Sequence, residues 1–146
     1  MIVRSASCRC GALEIECEGE PVRISACHCL ACQRRSGSAF AVQARWPDSQ
    51  VRLSGPSKAW ERVADSGAKA RYLFCPDCGS TVAYTLDSFP GLTAVPVGAF
   101  ADPDFPPPLF SIYEHRKHSW VEIGGEEVEH SSSPSSIRQP GRQTRR

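Results

Sequence analysis

Apolar and polar residues alternate in short runs along most of this chain, and Gly, Pro, Ser and Asp break the runs at close intervals. The clearest run covers residues 12–18. There Leu13, Ile15 and Cys17 alternate with Glu14, Glu16 and Glu18, so a strand would have one apolar and one acidic face. The alternation sends Cys17 into the core as a buried, inert thiol. Residues 3–7 and 22–25 read as neighbouring short strands. Residues 39–45 alternate loosely until Pro47 stops them. Residues 51–54, 59–63 and 70–74 are further strands, spaced by Ser54-Gly55-Pro56 and Asp65-Ser66-Gly67 turns. Residues 81–86 and 92–97 follow. Residues 29–35 suit one or two helical turns. The segment 102–108 carries four prolines and must be an extended loop. Residues 109–113 and 119–123 are expected as closing strands. From Glu126 onward apolar residues almost vanish, and 131–146 is rich in Ser, Pro and Arg. The pattern therefore predicts an ordered domain over 2–125 and a disordered tail over 126–146.

Composition sharpens this into a mainly β expectation. Twelve prolines and eleven glycines in 146 residues favour strands and turns over long helices. The length suits one domain with a real core. No run approaches the ~20 apolar residues of a membrane span. A net charge of +1 gives no global field toward membrane or nucleic acid. Arg138, Arg142, Arg145 and Arg146 make the tail modestly basic, but no aromatics interleave and Glu126, Glu127 and Glu129 precede it, so nucleic-acid binding is not expected.

The chemistry lies in the cysteines. Seven of the eight fall into three tight groups: Cys8-Arg9-Cys10-Gly11, Cys27-His28-Cys29-Leu30-Ala31-Cys32 and Cys75-Pro76-Asp77-Cys78-Gly79. Two cysteines one or two residues apart can aim both sulfurs at one tetrahedral ion. Disulfides are the competing explanation. Cysteines one residue apart are poorly shaped for that bond. Residues 1–7 also carry no apolar stretch of the kind that heads a secreted chain, so a reducing, cytoplasmic setting is the expectation. Thiolate sites select soft metals. Iron would also accept four thiolates, but zinc is the expected ion.

Spacing predicts two unlike sites. Cys8, Cys10, Cys75 and Cys78 pair as a closed four-thiolate site with a structural role. Gly11 and Gly79 are placed to turn backbone N–H groups toward the sulfurs. Cys27, Cys29 and Cys32 remain as a triple, whose fourth place is open to water, a substrate thiolate, Cys17 or a histidine. Three protein ligands and one exchangeable place is the pattern of a catalytic zinc. His28 lies between two ligating cysteines, so its side chain is expected to point away, toward substrate or solvent. Arg34 and Arg35 follow the triple and could clasp a carboxylate, or form a solvated basic turn.

The order C-x-C-G, C-H-C-x-x-C and then Arg71-Tyr72-Leu73-Phe74-Cys75-Pro76-Asp77-Cys78-Gly79-Ser80 resembles the glutathione-dependent formaldehyde-activating family, also called the CENP-V/GFA domain. Ser38-Ala39-Phe40, Trp60, Ile112-Tyr113, Lys117 and Trp120 add to the likeness, which spans roughly residues 4–123. The resemblance implies folded antiparallel sheets, a β-tent stapled by zinc knuckles. It implies a structural zinc on Cys8, Cys10, Cys75 and Cys78 and a catalytic zinc on Cys27, Cys29 and Cys32, in agreement with the spacing. It further implies carbon–sulfur lyase chemistry of the S-(hydroxymethyl)glutathione synthase type, with glutathione as co-substrate and a small thiol and an aldehyde as reactants. The alternatives are a non-catalytic module that carries or senses a small thiol, and a structural or interaction protein with both zincs closed.

Overall fold

The computed structural model describes residues 1–63 and 67–132. In chain order its strands are β1 (Val3–Ser7), β2 (Glu14–Glu18), β3 (Arg23–Cys27), β4 (Ala41–Pro47), β5 (Val51–Ser54), β6 (Lys58–Val63), β7 (Lys69–Phe74), β8 (Thr81–Leu86), β9 (Leu92–Pro96), β10 (Phe110–Ile112) and β11 (Glu129–His130). A single α-helix among the described residues, α1 (Leu30–Ser36), joins β3 to β4. The protein is mainly β, as the pattern predicts. The chain packs as two compact units, Met1–Val22 with Ala44–Phe105 and Arg23–Gln43 with Pro106–Arg146, the latter described to residue 132.

In the first unit β1, β2 and β5 form an antiparallel sheet with β2 at its centre. The register sets Ala6 opposite Ile15, and the Leu13–Ile15–Cys17 face is wholly buried. Each apolar side chain fully buried in this way contributes about 1.5–3 kcal/mol. Cys17 is indeed a core thiol, and burial pushes its pKa up to about 12. β2 begins at Glu14 rather than residue 12, because the chain is still closing a loop there: Cys8 N–H donates to Leu13 O at 2.9 Å. The unit's other strands run β9-β8-β7-β6, with the end of β4 beside β9. Tyr72 and Tyr84 face each other across β7 and β8, ring centroids 5.0 Å apart. Trp46 is buried at the end of β4 and its indole donates to Gly19 O at 2.9 Å.

In the second unit every residue of β3 is buried. β10 lies parallel to it, Phe110 against Ser25 and Ile112 against Cys27. β11 lies parallel on the other side of β10, Phe110 against Glu129 and Ser111 against His130. The expected folded antiparallel sheets are present, and parallel pairing at β10 is added to them. No hairpin links β3 to β10, so no tight turn forces them to run in opposite directions.

Two further expectations change here. Residues 119–123 form no strand: Ser119 and Trp120 make a turn, Val121 N–H returns to His118 O at 3.0 Å, and Trp120 is 73% exposed. Alternation alone cannot order a strand that has no partner edge. The ordered chain also runs past 125. Glu129 N–H donates to Leu109 O at 2.9 Å, Ser131 N–H to Ser111 O at 2.9 Å, and Glu114 N–H to Ser131 O at 2.9 Å. Backbone pairing at β10 captures a polar segment that has no apolar face to signal it. The rest of the expected tail, 133–146, and the Asp65-Ser66 part of one expected turn lie outside the described residues.

Candidate metal centres

All eight cysteines are free thiols, which removes the disulfide reading. Seven of them are gathered into two groups, each with sulfurs within 4.8 Å of one another.

The first group is Cys8, Cys10, Cys75 and Cys78, in the first unit. Cys8 Sγ is 3.6 Å from Cys10 Sγ, and Cys10 Sγ is 3.7 Å from Cys75 Sγ. A tetrahedron with ~2.3 Å zinc–sulfur arms has edges of about 3.8 Å. The donor set and spacing therefore fit a four-thiolate zinc. Two similar turns build it. Gly11 N–H returns to Cys8 O at 3.1 Å and Gly79 N–H to Cys75 O at 2.9 Å, and both glycines take positive φ, 86° and 81°. Arg9 N–H donates to Ser80 Oγ at 3.2 Å and ties one turn to the other. Backbone N–H groups also aim at the sulfurs: Leu13 at Cys8 (3.2 Å), Asp77 at Cys75 (3.4 Å) and Cys78 at Cys75 (3.5 Å). Such donors favour thiolate. The Leu13 N–H lowers the Cys8 pKa, and the Ser80 hydroxyl, followed by its N–H, brings Cys78 down to about 5.

The second group is Cys27, Cys29 and Cys32, in the second unit. Cys27 ends β3 and is buried, whereas Cys29 and Cys32 are half-buried. Cys29 caps α1, its sulfur accepting from Cys32 N–H at 3.3 Å. The helix closes at Gly37, whose φ of 71° lets its N–H reach Gln33 O. Hydrogen bonds from Cys27 and then Cys32 push the Cys29 thiol well below its ordinary value, and the same sharing pushes Cys27 up. Among the described residues no fourth Cys, His, Asp or Glu joins the three sulfurs. Cys17 and His28, both weighed as the fourth ligand, are not brought to them.

His28 is not solvated either. It is 0% exposed, and its Nε2 lies 2.9 Å from Ser111 Oγ on β10. Burial lowers its pKa, which favours the neutral ring. Tyr113, at the end of β10, packs against Cys27, Phe110 and Ile112 with φ at 57°. That left-handed backbone is strained for a bulky residue. It turns the chain into the short 3-10 helix Glu114–Arg116, beside α1.

The two arginines part company on α1. At ~100° per residue, Arg35 sits about 60° round from Cys32 and Arg34 about 160°. Arg34 is exposed, whereas Arg35 is half-buried on the Cys32 side of the helix. Sequence reasoning could not choose between them without the helix phase, and it missed Ser111, Gln33 and Glu114 altogether. Those three carry no motif: Ser111 comes to His28 on β10 and Gln33 on α1, while Glu114 starts the 3-10 helix that follows β10.

A family model described as "Glutathione-dependent formaldehyde-activating enzyme" matches residues 3–116. A crystal structure of a Rhodobacter sphaeroides protein, from a structural genomics programme, is 24% identical with a TM-score of 0.53. It covers 70% of this chain and 91% of that one, and it supports the fold alone. No curated protein matches the chain.

Proposed function

Because this chain belongs to the glutathione-dependent formaldehyde-activating enzyme family, we propose that its triple site joins a small thiol to an aldehyde, or splits the adduct. The net change is RSH + R′CHO ⇌ RSCH(OH)R′. A carbon–sulfur bond forms, the carbonyl π bond breaks, and the thiol proton ends on the oxygen. The observation that carries the reading is the gathering of Cys27, Cys29 and Cys32 without a fourth protein ligand. A zinc ion held by these three would supply the Lewis acidity that keeps an incoming thiol ionised at neutral pH. The chain's own residues do the rest. Cys27 fixes one sulfur in the core, and Cys29 and Cys32 present two at the half-buried start of α1. Arg35, on the Cys32 side, offers a two-pronged donor to a substrate carboxylate, and glutathione carries two such groups.

The four-sulfur site takes the structural role. It ties β1's end to β7's end across 65 positions of chain. A structural zinc contributes on the order of 10 kcal/mol of apparent folding free energy.

The test is exchange NMR on glutathione and labelled formaldehyde. The wild type is expected to speed interconversion of free thiol and adduct above the spontaneous rate, and Cys29→Ser to leave it at background. A wild-type rate equal to background would overturn the enzymatic reading in favour of a thiol carrier.

A further inference from the structure

His28 lies between two of the three proposed ligands, and the structure pins it from three sides. Its N–H donates to Ile112 O at 3.1 Å. Its carbonyl accepts from Gln33 Nε2 at 2.8 Å. Its ring Nε2 meets Ser111 Oγ at 2.9 Å. The three partners come from β10 and α1, two elements that the flanking cysteines also touch.

The Nε2–Ser111 bond holds the ring in place whichever partner donates. The direction of the other bonds follows from the inventory of donors. The Gln33 amide is fixed by its own donors and acceptor. Its nitrogen donates to His28 O and to Arg116 O (3.2 Å), and its oxygen accepts from His118 Nε2 at 3.0 Å. Two partners thus converge on one residue: Ser111 through the ring, and Gln33, itself bound to His118, through the carbonyl. The remaining ring nitrogen, Nδ1, is buried and has no hydrogen-bond partner among the described residues. A buried polar atom left in this way is destabilising, and the site accepts that cost while holding the other ring nitrogen in place.

We infer that His28 is a positioning residue: pinned by Ile112, Gln33 and Ser111, it fixes the angle between Cys27 and Cys29. The three-sulfur face is thereby set before metal arrives, with no need for a histidine ligand. This inference rests on the triple being a metal site. Partners of this kind, one bond removed from the ligands, typically hold 10- to 100-fold in metal affinity. Ser111 and Gln33 act through His28 and share the role. The ring's other neighbour is Phe40, whose centroid is 5.8 Å away; its face is apolar and supplies no competing ligand.

The experiment follows zinc release from the zinc-loaded protein to a chromophoric chelator, without any thiol substrate. The wild type should release two zincs in two phases, the faster from the triple. Ser111→Ala, Gln33→Ala and His28→Ala should each speed the fast phase by about 10- to 100-fold and leave the slow phase alone. His28→Gln can set its amide nitrogen near the Nε2 position, so it should recover much of the loss. Fast phases that match the wild type in all variants would overturn the positioning role. So would an equal rise in both phases, which would mark a general loss of fold. Should His28→Ala not fold, Ser111→Ala and Gln33→Ala decide the matter, since each removes only one of the hydrogen bonds that His28 makes. A wild type that releases a single zinc would remove the metal reading of the triple, and the positioning role with it.

Discussion

At the scale of residues, the cysteines were legible and their helpers were not. Metal-ligand spacing is local, so C-x-C, C-x-x-C and C-x-C-x-x-C showed both groups and their membership directly. The partners of His28 are 83 positions away in Ser111 and five in Gln33, and neither separation leaves a mark on the sequence. Arg35 and Arg34 make the point sharper, since only the phase of α1 tells them apart. Arg35→Ala is expected to weaken glutathione binding by roughly 10- to 150-fold, the loss of ~1.5–3 kcal/mol in charge-assisted hydrogen bonds. Mercaptoethanol, which has no carboxylate, should bind as before, and Arg34→Ala should leave both thiols unaffected. Calorimetric titration of the two thiols into the three proteins reads this directly, and equal glutathione affinity in all three would exclude the arginine role. Glu114 gives a pH prediction. Burial alone would raise its pKa, but hydrogen bonds from His130 and Ser111 hold it below the ordinary value. A depressed carboxylate stabilises the fold above its unfolded pKa, ~4.3, and loses that contribution as pH falls through the folded value. The stability gap between wild type and Glu114→Gln should therefore be widest near neutrality and narrow below about pH 4. A gap that instead widens in acid would show that the carboxylate is not the stabilising form.

At the scale of elements, period-2 patterning found β1, β5 and β8 at their observed bounds. It failed where pairing, not burial, makes the strand. β11 has no apolar face and was missed, whereas 119–123 alternates without an edge to join. Truncation after Gly125 should test β11. It removes the His130–Glu114 bond and the backbone bonds to Leu109 and Ser111, and a melting point lowered by several degrees is expected. An unchanged melting point would make β11 an ornament. The turn before β6 offers a stricter test. Gly55 has φ of 102°, and a Cβ built there would lie 2.0 Å from the Ala12 carbonyl oxygen. Gly55→Ala must shift backbone in the segment leading from Cys10 to β2, so a loss on the order of 3 kcal/mol is expected by thermal denaturation. A cost under 1 kcal/mol would show that the segment yields easily.

At the scale of the whole molecule, one chain carries two sulfur sites of different completeness, each in its own compact unit. The family resemblance, read from motifs, anticipated the mainly β fold and the two cysteine groups that could hold a metal. It could not supply the mixed pairing of the second unit, because parallel contact between β3 and β10 depends on how distant segments return. The division of labour predicts unequal mutants. Cys75→Ser should unfold or precipitate the protein, because it opens the four-sulfur site and frees the long loop it closes. Cys29→Ser should keep the fold and lose thiol binding. Equal losses of stability would erase the distinction. The most direct test is zinc-edge X-ray absorption on the two-zinc protein. Four sulfurs at one site and three at the other average about 3.5 per zinc, and a thiol entering the open place raises the average to about 4. We expect that rise on adding glutathione. An average of four before glutathione, or one that glutathione does not move, would contradict an open second site.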